Sequence, residues 1–229
     1  MASYIKNREG LRGLLKETKK FLSFRNFIRF IEKYNKDKKS FSILDVGFGA
    51  GDFLGYCISK FPESKVSGVD VNEKYFDYVF KRFSTAKLSL YNGEELPFQS
   101  DSIDVVTCIQ VVEHMNRPEI FFKEAFRVLK KDGIAIVTTP NPTGLAAKIL
   151  KDSWQGIDPD EHISLMPPSE WRRIAKKEGF RVITDGTTLL SGFKLLRMFP
   201  FNILNGIILL FFGQFKWSYG ESYNLFIRK

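Results

Sequence analysis

Past Ser40 the chain alternates apolar runs of strand length with longer stretches whose apolar residues recur at helical spacing, and few folds accept that order. The spacing predicts strands over 42–47, 65–70, 87–91, 103–109, 133–138 and 180–186, with a last one near 222–228. Helices are expected over 51–60, 73–83, 117–130 and 168–178, the last opened by Pro168-Ser169-Glu170 and closed by Gly179. Alternation of this kind argues for the α/β class, with a mostly parallel sheet covered on both faces. At 229 residues, 44% of them hydrophobic, the chain holds enough for one sizeable core, so 1–229 is read as a single embellished domain.

The first predicted strand runs straight into glycines at alternate positions, Gly47, Gly49 and Gly51 in "ILDVGFGAGDF". A glycine-rich turn between a strand and a helix lets a ligand approach the backbone and meet free N–H groups. A nucleoside triphosphate site would need Lys and then Ser or Thr at the end of the loop, where Asp52 and Phe53 stand. A dinucleotide site would need G-x-G-x-x-G, and the loop reads G-F-G-A-G. Asp45, two places before the first glycine, would repel a pyrophosphate but can hold an ammonium, directly or through water. Asp70 ends the second strand in "KVSGVD", where a carboxylate accepts the hydroxyls of a ribose.

Four segments in order, "LDVGFGAGDF", "GVDVN", "NGEELPFQSDSIDVVTCIQVVEHM" and "FFKEAFRVLKKDGIAIVTTPNP", resemble the class I S-adenosylmethionine-dependent methyltransferases. The resemblance covers roughly residues 41–186 and is strongest to ubiquinone-pathway O-methyltransferases and related small-molecule enzymes. It implies a doubly wound, seven-stranded, Rossmann-like sheet whose last strand is antiparallel, and S-adenosylmethionine as cofactor. It assigns Asp45, Gly47 and Gly49 to the methionine part of the cofactor, and Asp70, with Val71 beside it, to the ribose end. Where the family commonly has G-D-A-E-x-L-P-F, this chain has "YNGEELPF", so Asn92 replaces the Asp that receives the adenine amino group. Its side-chain oxygen can accept that proton and the Gly93 N–H can donate to the ring, with Glu94 next in line. Asn-Gly is equally an ordinary turn pair.

After the fourth strand the resemblance places Gln110, Glu113 and His114 on the floor of the active site. The related ubiquinone enzymes carry there an E-x-x-E-H run linked to a divalent metal. Gln110 stands where the first Glu would be, and Glu113 with His114 alone lacks a ligand, so no metal is expected. The only other histidine, His162 in "WQGIDPDEHISLM", lies where similar enzymes place a His facing the transferred methyl. It is the expected catalytic base, with Asp158, Asp160 and Glu161 at hand to orient it, and His114 is the second candidate. The N-P-P-aromatic motif of enzymes that methylate DNA base nitrogens is absent after the fourth strand, because "PNPTG" follows the fifth.

Charge and apolarity are distributed unevenly outside the core 41–186. Residues 1–40 carry 12 Lys or Arg against 4 Asp or Glu, leaving 23 against 22 elsewhere, so the net +9 belongs almost wholly to the arm. Leu11, Leu14, Leu15, Leu22, Phe27, Ile28 and Ile31 recur there as on an amphipathic helix, which can pack on the domain, lie on anionic lipid or meet nucleic acid. Within the insertion 187–220, before the last strand at 221–229, the 18 residues Met198–Phe215 carry no charge. Pro200, Asn202, Asn205, Gly206, Gly213 and Gln214 interrupt that run. A single membrane crossing would also strand the last β-strand on the wrong side. A cap over the core, a homodimer interface, or a surface meeting lipid or a lipid-like substrate are the remaining readings. Cys57 and Cys108 sit in apolar runs and are expected as core thiols in a reducing compartment, and the N-terminus lacks the apolar core of a secretory signal, so the cytoplasm is expected. The expected activity is O-methylation of a hydrophobic or lipid-linked small-molecule acceptor, such as a quinone precursor or a glycolipid sugar, with a membrane surface as a candidate partner. An RNA methyltransferase using the basic arm, and a non-catalytic cofactor-binding partner subunit, are the rival readings.

Overall fold

The computed structural model describes residues 11–154, 156, 161–188, 193, 203, 207, 214–216 and 218–229, with the side chains of 11–22 outside the described set. A helix α1 (Leu11–Asn35) precedes β1 (Ser42–Val46), α2 (Asp52–Lys60), β2 (Lys65–Asp70), α3 (Phe76–Arg82) and β3 (Lys87–Leu90). There follow β4 (Ile103–Ile109), α4 (Pro118–Val128), β5 (Leu129–Pro140), α5 (Leu145–Leu150), α6 (Pro168–Lys177), β6 (Arg181–Thr188) and β7 (Ser222–Arg228). The seven strands form one sheet in the order β3-β2-β1-β4-β5-β7-β6, with β7 antiparallel to both of its neighbours and the other described pairs parallel. The expected fold is thereby present, antiparallel last strand included.

Strand residues alternate between two cores, as a period of two requires. Leu44, Val46, Val106, Cys108, Ala135 and Val137 join Phe121, Phe122 and Ala125 of α4 and Trp171 of α6 on one face. Ile43, Val105, Ile134 and Ile136 join Phe27, Ile28 and Ile31 of α1, Phe53, Leu54 and Cys57 of α2, and Val79 of α3 on the other. Helix α1 is therefore a packed helix in its second half. Phe24 and Phe27 meet Phe53 edge-on, and Phe30 stacks obliquely on Phe226 of β7. Leu11, Leu14, Leu15 and Leu22 of the predicted amphipathic stripe lie outside the described side chains. Both cysteines are buried free thiols whose ionisation burial pushes up, as inert core residues require.

Several boundaries differ from the sequence expectation. The helix predicted over 117–130 stops at Val128, because Leu129 already pairs with Ile103 and the chain continues as strand. Strand β5 therefore begins four residues before the predicted 133, across an irregular register and a left-handed Asp132 (φ 66°). The predicted 73–83 helix opens with a tight turn at Glu73–Tyr75, where the Asn72 side chain accepts the Lys74 N–H. The short helix α5 was not expected.

Asp104, near the start of β4, clamps the foot of the sheet. Its carboxylate accepts the N–H and hydroxyl of Ser42 at 2.9 and 2.8 Å, the Lys130 ammonium at 2.7 Å, and the Lys38 ammonium. Burial works against the charge, but Lys130, Lys38 and Ser42 together hold this carboxyl well below the usual carboxylate range. Asp104→Asn is expected to cost about 2–3 kcal/mol at pH 7, since it strands two ammoniums and weakens a buried acceptor. The native carboxyl is the more acidic one. Its contribution is thus complete above the ordinary carboxylate pKa of about 3.9 and disappears as pH falls through the depressed value. Urea unfolding of both proteins at pH 7 and pH 3 checks this: the gap must narrow at pH 3, and an equal gap at both would refute it.

Candidate functional site

The site is built where β1, β2 and β4 end. Gly47 leaves β1 with φ +74°, and its N–H donates to the Val69 carbonyl at 2.7 Å, which turns the chain sharply over the end of β2. A side chain at Gly47 would put a Cβ 2.4 Å from the Val111 methyl, so only glycine fits between the loop and the segment after β4. Gly49 has φ +49°, and a Cβ there would meet nothing within 4 Å. The loop is thus closed against the protein at one glycine and open at the next, as a ligand cradle must be.

Two carboxylates flank this cradle with different chemistry. Asp45 is 3% exposed and accepts the Thr107 hydroxyl at 2.7 Å. Burial pushes its carboxyl up to about 7, with the Thr107 bond opposing and the Asp70 charge adding. A cation brought beside it would restore the anion, which suits the ammonium that the sequence assigned to it. Asp70 accepts the Gly49 N–H at 2.8 Å on one oxygen and the Asn72 N–H at 2.9 Å on the other. Each oxygen thereby keeps one lone pair for a hydroxyl, while its direction is fixed by the loop it holds. Val71 beside it is 66% exposed, an apolar face at the strand end.

The loop after β3 behaves partly as the turn reading required. The Asn92 side-chain oxygen accepts the N–H groups of both Glu94 and Glu95, at 2.9 and 3.0 Å. Both its lone pairs are thus committed, which leaves no acceptor for an adenine amino group in this conformation. Gly93 (φ +84°) faces open space and Glu94 pairs with Arg117 at the surface, at 3.3 Å. At the end of β4, Gln110 takes a left-handed backbone (φ 57°), its N–H donating to the Thr138 carbonyl and its side-chain amide to the Thr138 hydroxyl. Non-glycine residues hold such a conformation only where surroundings impose it, and here β5 does.

Beyond Gln110 a single tight turn, Val112–His114, places Glu113 and His114 together. Ser164 ties the distant 161–166 segment to this turn, its N–H donating to the Glu113 carbonyl at 2.9 Å and its hydroxyl to the Met115 carbonyl at 2.6 Å. That tie brings His162 against His114, with ring centres 4.8 Å apart and the rings edge to face. His114 Nδ1 lies 2.8 Å from the Glu161 carbonyl, and His162 Nδ1 lies 2.8 Å from the Gly156 carbonyl. Carbonyls only accept, so each neutral ring carries its proton on Nδ1 and presents a lone pair at Nε2. Glu161 acts here through its backbone, and Asp158 and Asp160 lie outside the described residues. Glu113 is 1% exposed and neither carboxylate oxygen has a hydrogen-bond partner. Burial pushes this carboxyl up to about 7, moderated by its own backbone N–H and by the nearby Thr139 hydroxyl, whose geometry falls short of a hydrogen bond.

Thr107 and Thr138 are site residues that the sequence did not mark. Each is a polar residue inside an apolar strand, and only the pairing of β1 with β4 and of β4 with β5 shows what it faces. "PNPTG" proves structural: Asn141 is fully buried, donates to the Ser218 and Gly220 carbonyls at 2.8 Å, and accepts from Thr143.

Residues 14–185 match the model of a family described as a methyltransferase domain. The chain is 34% identical over 99 residues to a probable S-adenosylmethionine-dependent methyltransferase of Mycolicibacterium smegmatis, a match covering 43% of this chain and 38% of that protein. It is 29% identical over 158 residues to the ubiquinone biosynthesis O-methyltransferase of Pelagibacter ubique, covering 64% of each. The chain thus spans less than half the length of the first of these relatives and just under two thirds of the second. In fold it is similar to a methyltransferase structure from Archaeoglobus fulgidus, with a TM-score of 0.66 and 21% identity over 99% of both chains.

Proposed function

We propose that this chain, which belongs to the methyltransferase-domain family and is an S-adenosylmethionine-dependent methyltransferase, methylates an oxygen of a hydrophobic or lipid-linked acceptor. S-Adenosylmethionine supplies an electrophilic methyl on a sulfonium, and the residues that would hold it fit that group. Asp45 is a buried carboxylate seeking a cation, Gly49 leaves the loop open, and Asp70 offers two oriented oxygens to a ribose. The chain's own work is to align the acceptor with the methyl and to remove the acceptor's proton.

The observation that carries the acceptor class is the meeting of His162 with His114 beside apolar surface. Two Nε2 lone pairs suit an O–H that must lose its proton as it attacks. Leu145 and Ile149 after β5, Ile163 beside His162, and Ile203, Ile207 and Tyr219 of the insertion are large apolar residues that are exposed. Tyr219 accepts the Leu145 N–H, which joins the insertion's exit to α5. The name of the Pelagibacter relative, an O-methyltransferase of ubiquinone biosynthesis, supports the same class. No helix among the described residues is long and apolar enough to cross a membrane.

The test is transfer of a tritiated methyl from the cofactor into a total lipid extract, run beside bulk RNA. Label in an organic-soluble product is the expected result. Label in RNA, with binding that weakens steeply as salt rises, would transfer the assignment to the basic arm and nucleic acid.

A further inference from the structure

We propose that Glu113, His114 and His162 form a binding site for one divalent transition-metal cation. One potential ligand atom from each of the three lies within 4.8 Å of the others, and no other such group of His, Cys, Asp and Glu occurs among the described residues. Ligands about 2.1 Å from a metal stand about 3.3 Å apart, so small adjustments of the three side chains would close the set on an ion. The third ligand that Gln110 does not supply comes from His162, 48 positions after His114.

Two independent features point to a cation rather than to a chance cluster. Both imidazoles have Nδ1 held by a backbone carbonyl, which fixes the tautomer with Nε2 unprotonated and is the outer arrangement usual for metal-bound histidines. The Glu113 carboxylate is buried with both oxygens unpartnered, a costly state that a bound cation relieves. Two nitrogens and one carboxylate oxygen favour zinc, iron, cobalt or manganese over magnesium or calcium, and three protein ligands leave positions open for a substrate oxygen.

Binding of the cation stands on these three residues alone; its role rests on the O-methylation reading. In the loaded protein the acceptor hydroxyl binds the cation and releases its proton to water. The oxygen then attacks the methyl carbon, the carbon–sulfur bond breaks and its electron pair returns to sulfur. His114 and His162 act there as ligands, and proton removal passes from imidazole to the cation.

The test uses the full chain stripped with a chelator and then titrated with cobalt(II), followed by visible d–d absorption, and with zinc by calorimetry. S-Adenosylhomocysteine binding is measured on the same samples. One equivalent of each metal is expected, with affinity falling at least 10-fold in His114→Ala, His162→Ala and Glu113→Gln while S-adenosylhomocysteine binding persists. Absence of stoichiometric binding to the wild type overturns the proposal, as does unchanged affinity in His162→Ala. If Glu113→Gln does not fold, the two histidine variants decide, since neither ring is fully buried. Failure of the O-methylation reading would appear differently, as metal bound normally with no label reaching any lipid acceptor.

Discussion

Asp70→Ala should lose most of its affinity for S-adenosylhomocysteine while keeping its fold. The two carboxylate oxygens are charged acceptors, each already aligned by a backbone N–H, and their bonds to two ribose hydroxyls should contribute roughly 2–4 kcal/mol together. That corresponds to a loss of about 30- to 700-fold. Part of it arises through the loop, because removal of the carboxylate also releases the Gly49 N–H that holds the cradle in place. Asp70→Asn keeps one side-chain acceptor and should fall between the two proteins. Calorimetry with S-adenosylhomocysteine checks the series, with circular dichroism to show that the sheet survives. Wild-type affinity in the alanine variant would remove Asp70 from the cofactor site.

The second large effect is expected on turnover. His162→Ala should lower kcat by about 10² or more with little change in cofactor affinity, because His162 serves the acceptor's proton loss in the transition state, as a base in the metal-free protein and as a ligand once a cation is bound. His162 touches the Gly156 carbonyl and the His114 ring, whereas Gly49 and Asp70 hold one another, so cofactor affinity is expected to persist in the variant. The measurement is methyl transfer to the acceptor fraction across pH 6 to 9, beside cofactor binding at each pH. Unchanged turnover throughout that range would make His162 a structural residue and leave His114 to carry the proton.

What could be read from the sequence was whatever a short stretch of chain decides by itself. Strand β4 shows as "IDVVTCI" because every one of its residues but the last is buried, and the glycine loop shows because its conformational demand falls on adjacent positions. The positions of Asp45 and Asp70 at the ends of β1 and β2 were legible for the same reason. The start of β5 was not, since a helical pattern runs through Leu129 and only its pairing with Ile103 converts it to strand. The Asn92 oxygen, expected to receive an adenine amino group, is spent on its own turn, a competition that composition does not reveal. The meeting of His114 with His162 depends on two hydrogen bonds from Ser164, a residue that nothing in the sequence singles out.

The insertion before β7 enters and leaves the sheet through a sewn seam. Thr187 and Phe215 exchange backbone hydrogen bonds at 2.9 and 3.0 Å, and Asn141 grips Ser218 and Gly220 from the end of β5. A segment anchored at its root in this way adds little to the cost of closing the sheet, since loop entropy grows only with the logarithm of length. The segment between the two anchors can therefore change in length while the glycine loop, several strands away, stays unchanged. For protein engineering the seam is a cassette boundary: foreign segments exchanged between Thr188 and Phe215 are expected to leave the sheet and its core folded.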